Sequence, residues 1–225
     1  HECSSAASDV YKRQDNKPMI QWVIESLNLE GNFIFIVQKE HQEKYNINSV
    51  LKILKPNCKI IELDHITEGA ACTTLLAKKF INSSNPLIIA NSDQYIKWDS
   101  IKSMYNYNQK KIDGSILTFE AIHPKWSYAK TDKNNFVTEV AEKKVISKNA
   151  TVGVYYWKKG SDYVNCAETM IKKNMRVNNE FYVCPVYNEA IGEGKKIVID
   201  KVSEMHGLGT PDDLKNFITK KNLTN

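Results

Sequence analysis

The residues best placed to do chemistry stand where strands end. PLIIANSD (86–93) runs through four apolar residues and a polar pair to a carboxylate, Asp93. In an open parallel sheet, ligands bind beyond the carboxyl ends of the strands. Asp93 therefore suits a magnesium ion whose octahedron is completed by substrate phosphates; a turn or helix-capping carboxylate fits the same place. Glu68-Gly69-Ala70-Ala71 lies between a strand and a helix, and its small residues let backbone N–H groups approach a base or a phosphate. Glu142-Lys143 closes FVTEVAE (136–142). A lysine at a strand terminus can neutralise phosphate oxygens, at ~4 kcal/mol for a pair ~4 Å apart in an effective dielectric near 20. Taken alone, with Lys144 adjacent, the pair reads first as an exposed charged turn. Gly153 interrupts an apolar strand and marks a bulge or the close approach of a ligand. Glu180, after Asn178-Asn179, is a helix N-terminal carboxylate or a hydroxyl-binding group. None of these is specific singly.

Other chemistries find little support. His41, His65, His123 and His206 fall in unrelated loops, and no Ser/His/Asp spacing stands out. The five cysteines (Cys3, Cys58, Cys72, Cys166, Cys184) form no CxxC pair and no zinc-spaced cluster, so they read as scattered buried thiols. A net charge of +5 favours anionic ligands, yet the lysines are dispersed, and no arginine-rich or aromatic-basic stripe argues for nucleic acid. No apolar run approaches the ~20 residues that span a bilayer, and no secretory segment is evident, so no membrane partner is expected and the cytoplasm is the default setting.

The elements that must position these groups alternate. With 42% hydrophobic and 25% charged residues in 225, the chain has an ordinary globular composition. The first fourteen residues, HECSSAASDVYKRQ, carry no periodicity and resemble a non-native leader, which leaves 15–225 for the fold. The spacing predicts a helix after Lys17-Pro18, a strand over 32–37, a helix over 49–54, a strand over 59–63, a helix from Glu68-Gly69 and a strand over 86–90. Four strands follow, over 114–121, 126–131, 136–142 and 150–157, then a helix over 161–172, a helix carrying Val183 to Ile191 and the strand KIVIDK. Thr210 caps a last helix, with Pro211 at its first position and two acidic residues in its first turn. The class expected is α/β: a mixed, mostly parallel sheet flanked by helices on both faces. One domain is expected, with a nucleotide-binding-type half over 15–112 and a mixed-sheet half over 113–225.

Taken in order, KPMIQWVIESL (17–27), EGAACTTLLA (68–77), PLIIANSDQYI (86–96), VTEVAEKKVISKNATVGVYYW (137–157), NNEFYVCPVYNEAI (178–191) and GLGTPDDL (207–214) resemble the sugar nucleotidyltransferases, the family that includes glucose-1-phosphate thymidylyltransferases. The resemblance covers essentially everything after residue 14. It implies a Rossmann-like fold of the GT-A type, with nucleoside triphosphate and sugar-1-phosphate as substrates and magnesium as cofactor. It is compatible with a homo-oligomer. On this resemblance Asp93 holds the metal, and Glu68, Gly69 and Ala70 contact the nucleotide base. Lys143 lies on the phosphates, Glu142 near the sugar, and Gly153 and Glu180 contact the sugar. Lys17 matches a structural motif and takes no catalytic role.

Two departures stand against it. The family opens with a central strand and a Gly-rich, basic loop that grips the triphosphate, and nothing before Lys17 matches either. The expectation is therefore a sheet lacking its first central strand, and a chain that is nearly inert although its intact parent is active. Gly207 also stands where thymidylyltransferases carry an aspartate for a second metal; Asp212 and Asp213 are nearby but read as first-turn helix carboxylates. Two rivals stay open. One is a GT-A glycosyltransferase using a nucleotide-sugar donor, although Asn91-Ser92-Asp93 lacks an Asp-x-Asp pair. The other is a non-catalytic nucleotide-sugar-binding regulatory module.

Overall fold

Pro18 stands immediately before the first helix of the computed structural model, which describes residues 13–14 and 17–224. The sequence at this point has both helix signals. Proline precedes the first turn, where its missing N–H is not needed, and Asn28 closes the end in a left-handed conformation. The expected leader lies outside the described residues except for Arg13–Gln14, which pair with Lys17–Pro18.

In chain order the helix α1 (Met19–Leu27) leads to β1 (Ile34–Gln38), α2 (Lys39–Tyr45), α3 (Ile47–Leu54) and β2 (Lys59–Leu63). Then come α4 (Ala70–Leu75), α5 (Lys78–Ile81), β3 (Leu87–Ala90), β4 (Gln94–Lys97) and α6 (Ser100–Gln109). The strands β5 (Gly114–Glu120), β6 (Tyr128–Thr131), β7 (Val137–Ala141) and β8 (Asn149–Trp157) follow. Last are α7 (Gly160–Lys172), α8 (Val186–Gly192), β9 (Ile197–Lys201), β10 (Glu204–Gly207) and α9 (Pro211–Thr224).

These elements pack as two compact units that interleave along the chain, unlike a division at residue 112. Unit 1 comprises the described residues up to His65, Asn91–Ser100 and those from Ser203 onward. Its core joins Met19, Ile20, Val23 and Ile24 of α1 to Val37, Leu51, Leu208, Leu214 and Phe217. The α1 residues recur at helical spacing, which puts them on one face. Here β1 and β2 form a parallel ladder and β4 pairs antiparallel with β10.

Unit 2 comprises Ile66–Ala90 and Ile101–Val202. Its six-stranded sheet runs β9-β5-β8-β6-β7, with β3 also on β8. The strand β8 is buried from Ala150 to Trp157. A strand with ladder partners on both edges and cover on both faces reads as a continuous apolar run, and NATVGVYYW does. The mixed α/β class stands, but the parallel share is smaller than the alternation predicted. Among the described residues only β9–β5 and β1–β2 are parallel, while β8 takes antiparallel partners throughout. The cause is local: short hairpin-type links among 114–157 favour antiparallel neighbours, and parallel pairs need a longer crossover.

Candidate active site

Unit 1 places Asp93 immediately before β4. Its backbone carbonyl accepts a hydrogen bond from the Leu208 N–H at 2.7 Å, which docks the end of β10 beside it. Gly209 then lies against the carboxylate: a Cβ there would come 2.9 Å from Asp93 Oδ2. Any larger residue would fill the space in front of that oxygen. A Cβ on Gly207 would stand 3.6 Å from Asp213 Oδ2, so Asp213 already occupies the ground before Gly207. Asp213 also completes a helix cap, since its N–H donates to Thr210 Oγ1 (3.1 Å) and Thr210 Oγ1 donates to its carboxylate (2.8 Å). Burial pushes the Asp93 carboxyl above the usual carboxylate range, and the Asp213 charge pushes it further the same way. Among the described residues no lysine, arginine or histidine pairs with either carboxylate, and no group of three or more metal-ligating side chains gathers.

Unit 2 brings Glu68, Gly69, Ala70, Glu142, Lys143 and Glu180 around one turn. Asn178 and Asn179 both have positive φ (48° and 65°), and Val177 and Glu180 exchange backbone hydrogen bonds of 3.0 and 2.9 Å across them. Two left-handed residues between paired strand ends make a tight hairpin turn, and asparagine tolerates that conformation well. Glu180 thus closes a turn and does not open a helix. Phe181 follows and pairs with the earlier segment: its N–H donates to the Glu68 carbonyl (2.8 Å), and its carbonyl accepts from the Ala71 N–H (2.9 Å). Gly69, at φ 127°, is required by this contact, because a Cβ would meet the Phe181 backbone N and O at 2.5 Å. The close approach that a glycine signals is therefore made by the protein's own backbone.

Three charged side chains around this turn have partners within the unit. Glu68 is bonded by Arg176, whose guanidinium also lies 4.0 Å over the Phe181 ring. Glu142 accepts from Ser127 Oγ, and burial raises its carboxyl above the ordinary range although that bond and Lys143 oppose the shift; Glu180 adds to it. Lys143 has positive φ (53°) and donates from Nζ to the Tyr182 hydroxyl at 2.9 Å, which holds the ammonium above its usual pKa. Gly153, at φ 72°, lies where the β8–β5 register slips between Thr151 and Tyr155, which is a bulge. No described contact brings Gly153 to the other candidates.

Sequence reasoning did not single out Arg176, Tyr182 or Ser127. Two adjacent asparagines were the available signal for the turn that presents Glu180, Phe181 and Tyr182. Arg176 acts over 108 residues of chain, which local pattern does not reach.

A family model described as nucleotidyl transferase matches residues 8–214 of the chain. Comparison with curated proteins gives no match. Among solved structures the chain is similar to the nucleoside-diphosphate-sugar pyrophosphorylase from Vibrio cholerae RC9, with a TM-score of 0.80 and 22% identity over 94% of this chain and 91% of that one. It is similar to the inositol-1-phosphate CTP transferase from T. maritima at a TM-score of 0.71 and 14% identity, over 94% and 84% of the two chains. It is also similar to a UDP-glucose pyrophosphorylase complexed with UDP-glucose, at 0.72 and 15%, over 95% and 90%. At these identities the likenesses establish the fold.

Proposed function

Because the chain belongs to the nucleotidyl transferase family, we propose that it moves the nucleotidyl group of a nucleoside triphosphate onto a sugar-1-phosphate, giving a nucleotide-sugar and pyrophosphate. The observation that carries this reading is the Asp93 carboxylate, kept clear by the bare α-carbon of Gly209 and faced by the charge of Asp213. Two carboxylates without a protein cation fit a magnesium ion, a hard cation held by one or two protein oxygens with substrate phosphates completing its shell. Asp93 would hold it, with Asp213 standing where Gly207 supplies no ligand. When bound, the ion would draw charge from the triphosphate oxygens.

The other roles are carried over from the family resemblance to side chains that lie within unit 2. Lys143, steadied by Tyr182, neutralises phosphate charge. Glu180 and Glu142 are acceptors for sugar hydroxyls, and Glu68–Ala70 form the base-side segment. A phosphate oxygen of the sugar-1-phosphate attacks the α-phosphorus in line and pyrophosphate leaves. That nucleophile is already ionised, so positioning and charge neutralisation suffice and no general base is needed. On the same reading the product feeds surface polysaccharide or glycan precursor synthesis in the cytoplasm. The nucleotide-sugar enzymes among the fold neighbours support that direction, and among the described residues no helix is long and apolar enough to cross a membrane.

The test is pyrophosphate release by the chain carrying a family-type N-terminal strand and Gly-rich loop, screened over nucleoside triphosphates and sugar-1-phosphates, beside Asp93→Ala. Magnesium-dependent release that needs both substrates and fails in the variant is expected. Nucleotide-sugar binding with no release for any pair would defeat the proposal in favour of glycosyl transfer or a binding module.

A further inference from the structure

Arg176 uses every face of its guanidinium within unit 2. Nε donates to Asn174 Oδ1 at 2.6 Å, Nη1 to the Asn179 carbonyl at 3.1 Å and Nη2 to Glu68 Oε2, while the plane covers Phe181. Three of these four partners belong to the segments that carry Glu180 and Glu68. The backbone bonds between Phe181 and residues 68–71 run alongside. The turn over Asn178 and Asn179 has no helix to stiffen it, and left-handed asparagines have other conformations available. Without a clasp, the Glu180 turn and the Glu68–Ala71 segment would have to be ordered when ligand arrives, at a cost in affinity. A planar fork with several directed donors suits that task, and a lysine does not reproduce it.

We propose that Arg176 is a positioning residue that clasps the Glu180 turn to the Glu68–Ala71 segment in advance, so that nucleotide-sugar affinity depends on it. The inference rests on the nucleotidyl-transfer reading. It gives Glu68 a specific part, because a carboxylate bonded to Arg176 serves the ligand through the segment it anchors.

The experiment measures two quantities on the full chain. Amide exchange at Ala71, Glu180 and Phe181 reports the clasp without ligand, with amides of α7 as the control for global stability. Calorimetric titration with UDP-, dTDP- and CDP-sugars reports affinity. Arg176→Ala is expected to speed exchange at all three amides, leave α7 protected and weaken the tightest nucleotide-sugar about tenfold. Arg176→Lys should recover little of this loss, and Glu68→Gln, whose amide oxygen still accepts, most of it. Glu68→Ala combined with Arg176→Ala should be no worse than Arg176→Ala alone, because that variant already removes the Glu68 contact. If Arg176→Ala does not fold, Arg176→Lys carries both readouts. Faster exchange with unchanged affinity, or additive losses in the double variant, would overturn the proposal while leaving nucleotidyl transfer intact. Failure of the unaltered chain to bind any of the nucleotide-sugars would overturn the nucleotidyl-transfer reading, and this inference with it.

Discussion

The surroundings of Asp93 and of Glu180 treat charge in opposite ways. Around Asp93, the charge of Asp213 bears on a buried carboxylate, no cation among the described residues pairs with either, and glycine keeps the approach to Asp93 clear. Around Glu180, Glu68 has Arg176, Glu142 has Ser127 and Lys143 has Tyr182. The first arrangement is unfavourable until something positive arrives, since like charges and burial both penalise the ionised form. The second is satisfied without a ligand and presents a fixed shape. The contrast teaches that one region is built to receive a charge and the other to hold a geometry.

Removing the Asp93 charge should break the first arrangement most severely. Asp93→Asn should lower turnover by about 10²–10³-fold, as loss of a central electrostatic contact commonly does. Manganese binding followed by electron paramagnetic resonance should fall with it. Asp213→Asn should weaken that binding less, and Asp212→Asn not at all. Stability should move the other way. The folded-state pKa of Asp93 is raised, so its ionised form costs stability above that pKa, and the cost vanishes as pH falls through it. Without divalent metal, Asp93→Asn should therefore unfold at higher urea than the parent at neutral pH, with the gap closing toward acid. A parent that is the more stable of the two at neutral pH would show that the Asp93 edge carries no electrostatic penalty.

Breaking the second arrangement calls for a change of shape. Gly69→Ala sets a Cβ 2.5 Å from two Phe181 backbone atoms at a φ that side chains rarely adopt. Relief requires the 68–71 and 178–181 segments to part, at about 1–3 kcal/mol of stability. The urea midpoint should drop, and nucleotide-sugar affinity should fall with it. An unchanged midpoint would mean that the paired backbones are held less tightly than their distances imply.

How far these regions were legible in sequence follows from the same contrast. Asp93 stands at the end of an apolar strand, and α1 and β8 have apolar patterns that local spacing reveals. Four-residue strands do not: QYIK and EMHG, paired as β4 and β10, alternate too briefly to register, yet they bring Gly207 and Leu208 alongside Asp93. The helix α6, SIKSMYNYNQ, is mostly polar and has no clear stripe. Gly69 and Gly153 were legible as special positions, but a sequence does not say whether the close neighbour is a ligand, a bulge or Phe181. Arg176 was invisible because its partner lies 108 residues away. The resemblance placed Glu142, Lys143 and Glu180 together, whereas spacing alone left them apart.

The smallest expected effect is also the finest test of the second arrangement. Tyr182→Phe keeps the ring under the Lys143 ammonium, 5.1 Å away, and deletes only the hydroxyl that accepts its hydrogen bond. Lys143 is exposed, so the lost bond should change the urea midpoint little. The bond to Tyr182 is the leading cause of the raised Lys143 pKa, and a raised lysine pKa gives stability that is present below the unfolded value and lost as pH rises through the folded one. Removing the hydroxyl should leave neutral-pH stability nearly unchanged and move the alkaline fall in activity to lower pH. At neutral pH the ammonium stays charged but is less well aimed, so KM for the triphosphate should rise about threefold, an effect of the size of one modest hydrogen bond. An alkaline limb that does not move would mean that Lys143 is not the group titrating there, and its assignment to the phosphates would have to be withdrawn.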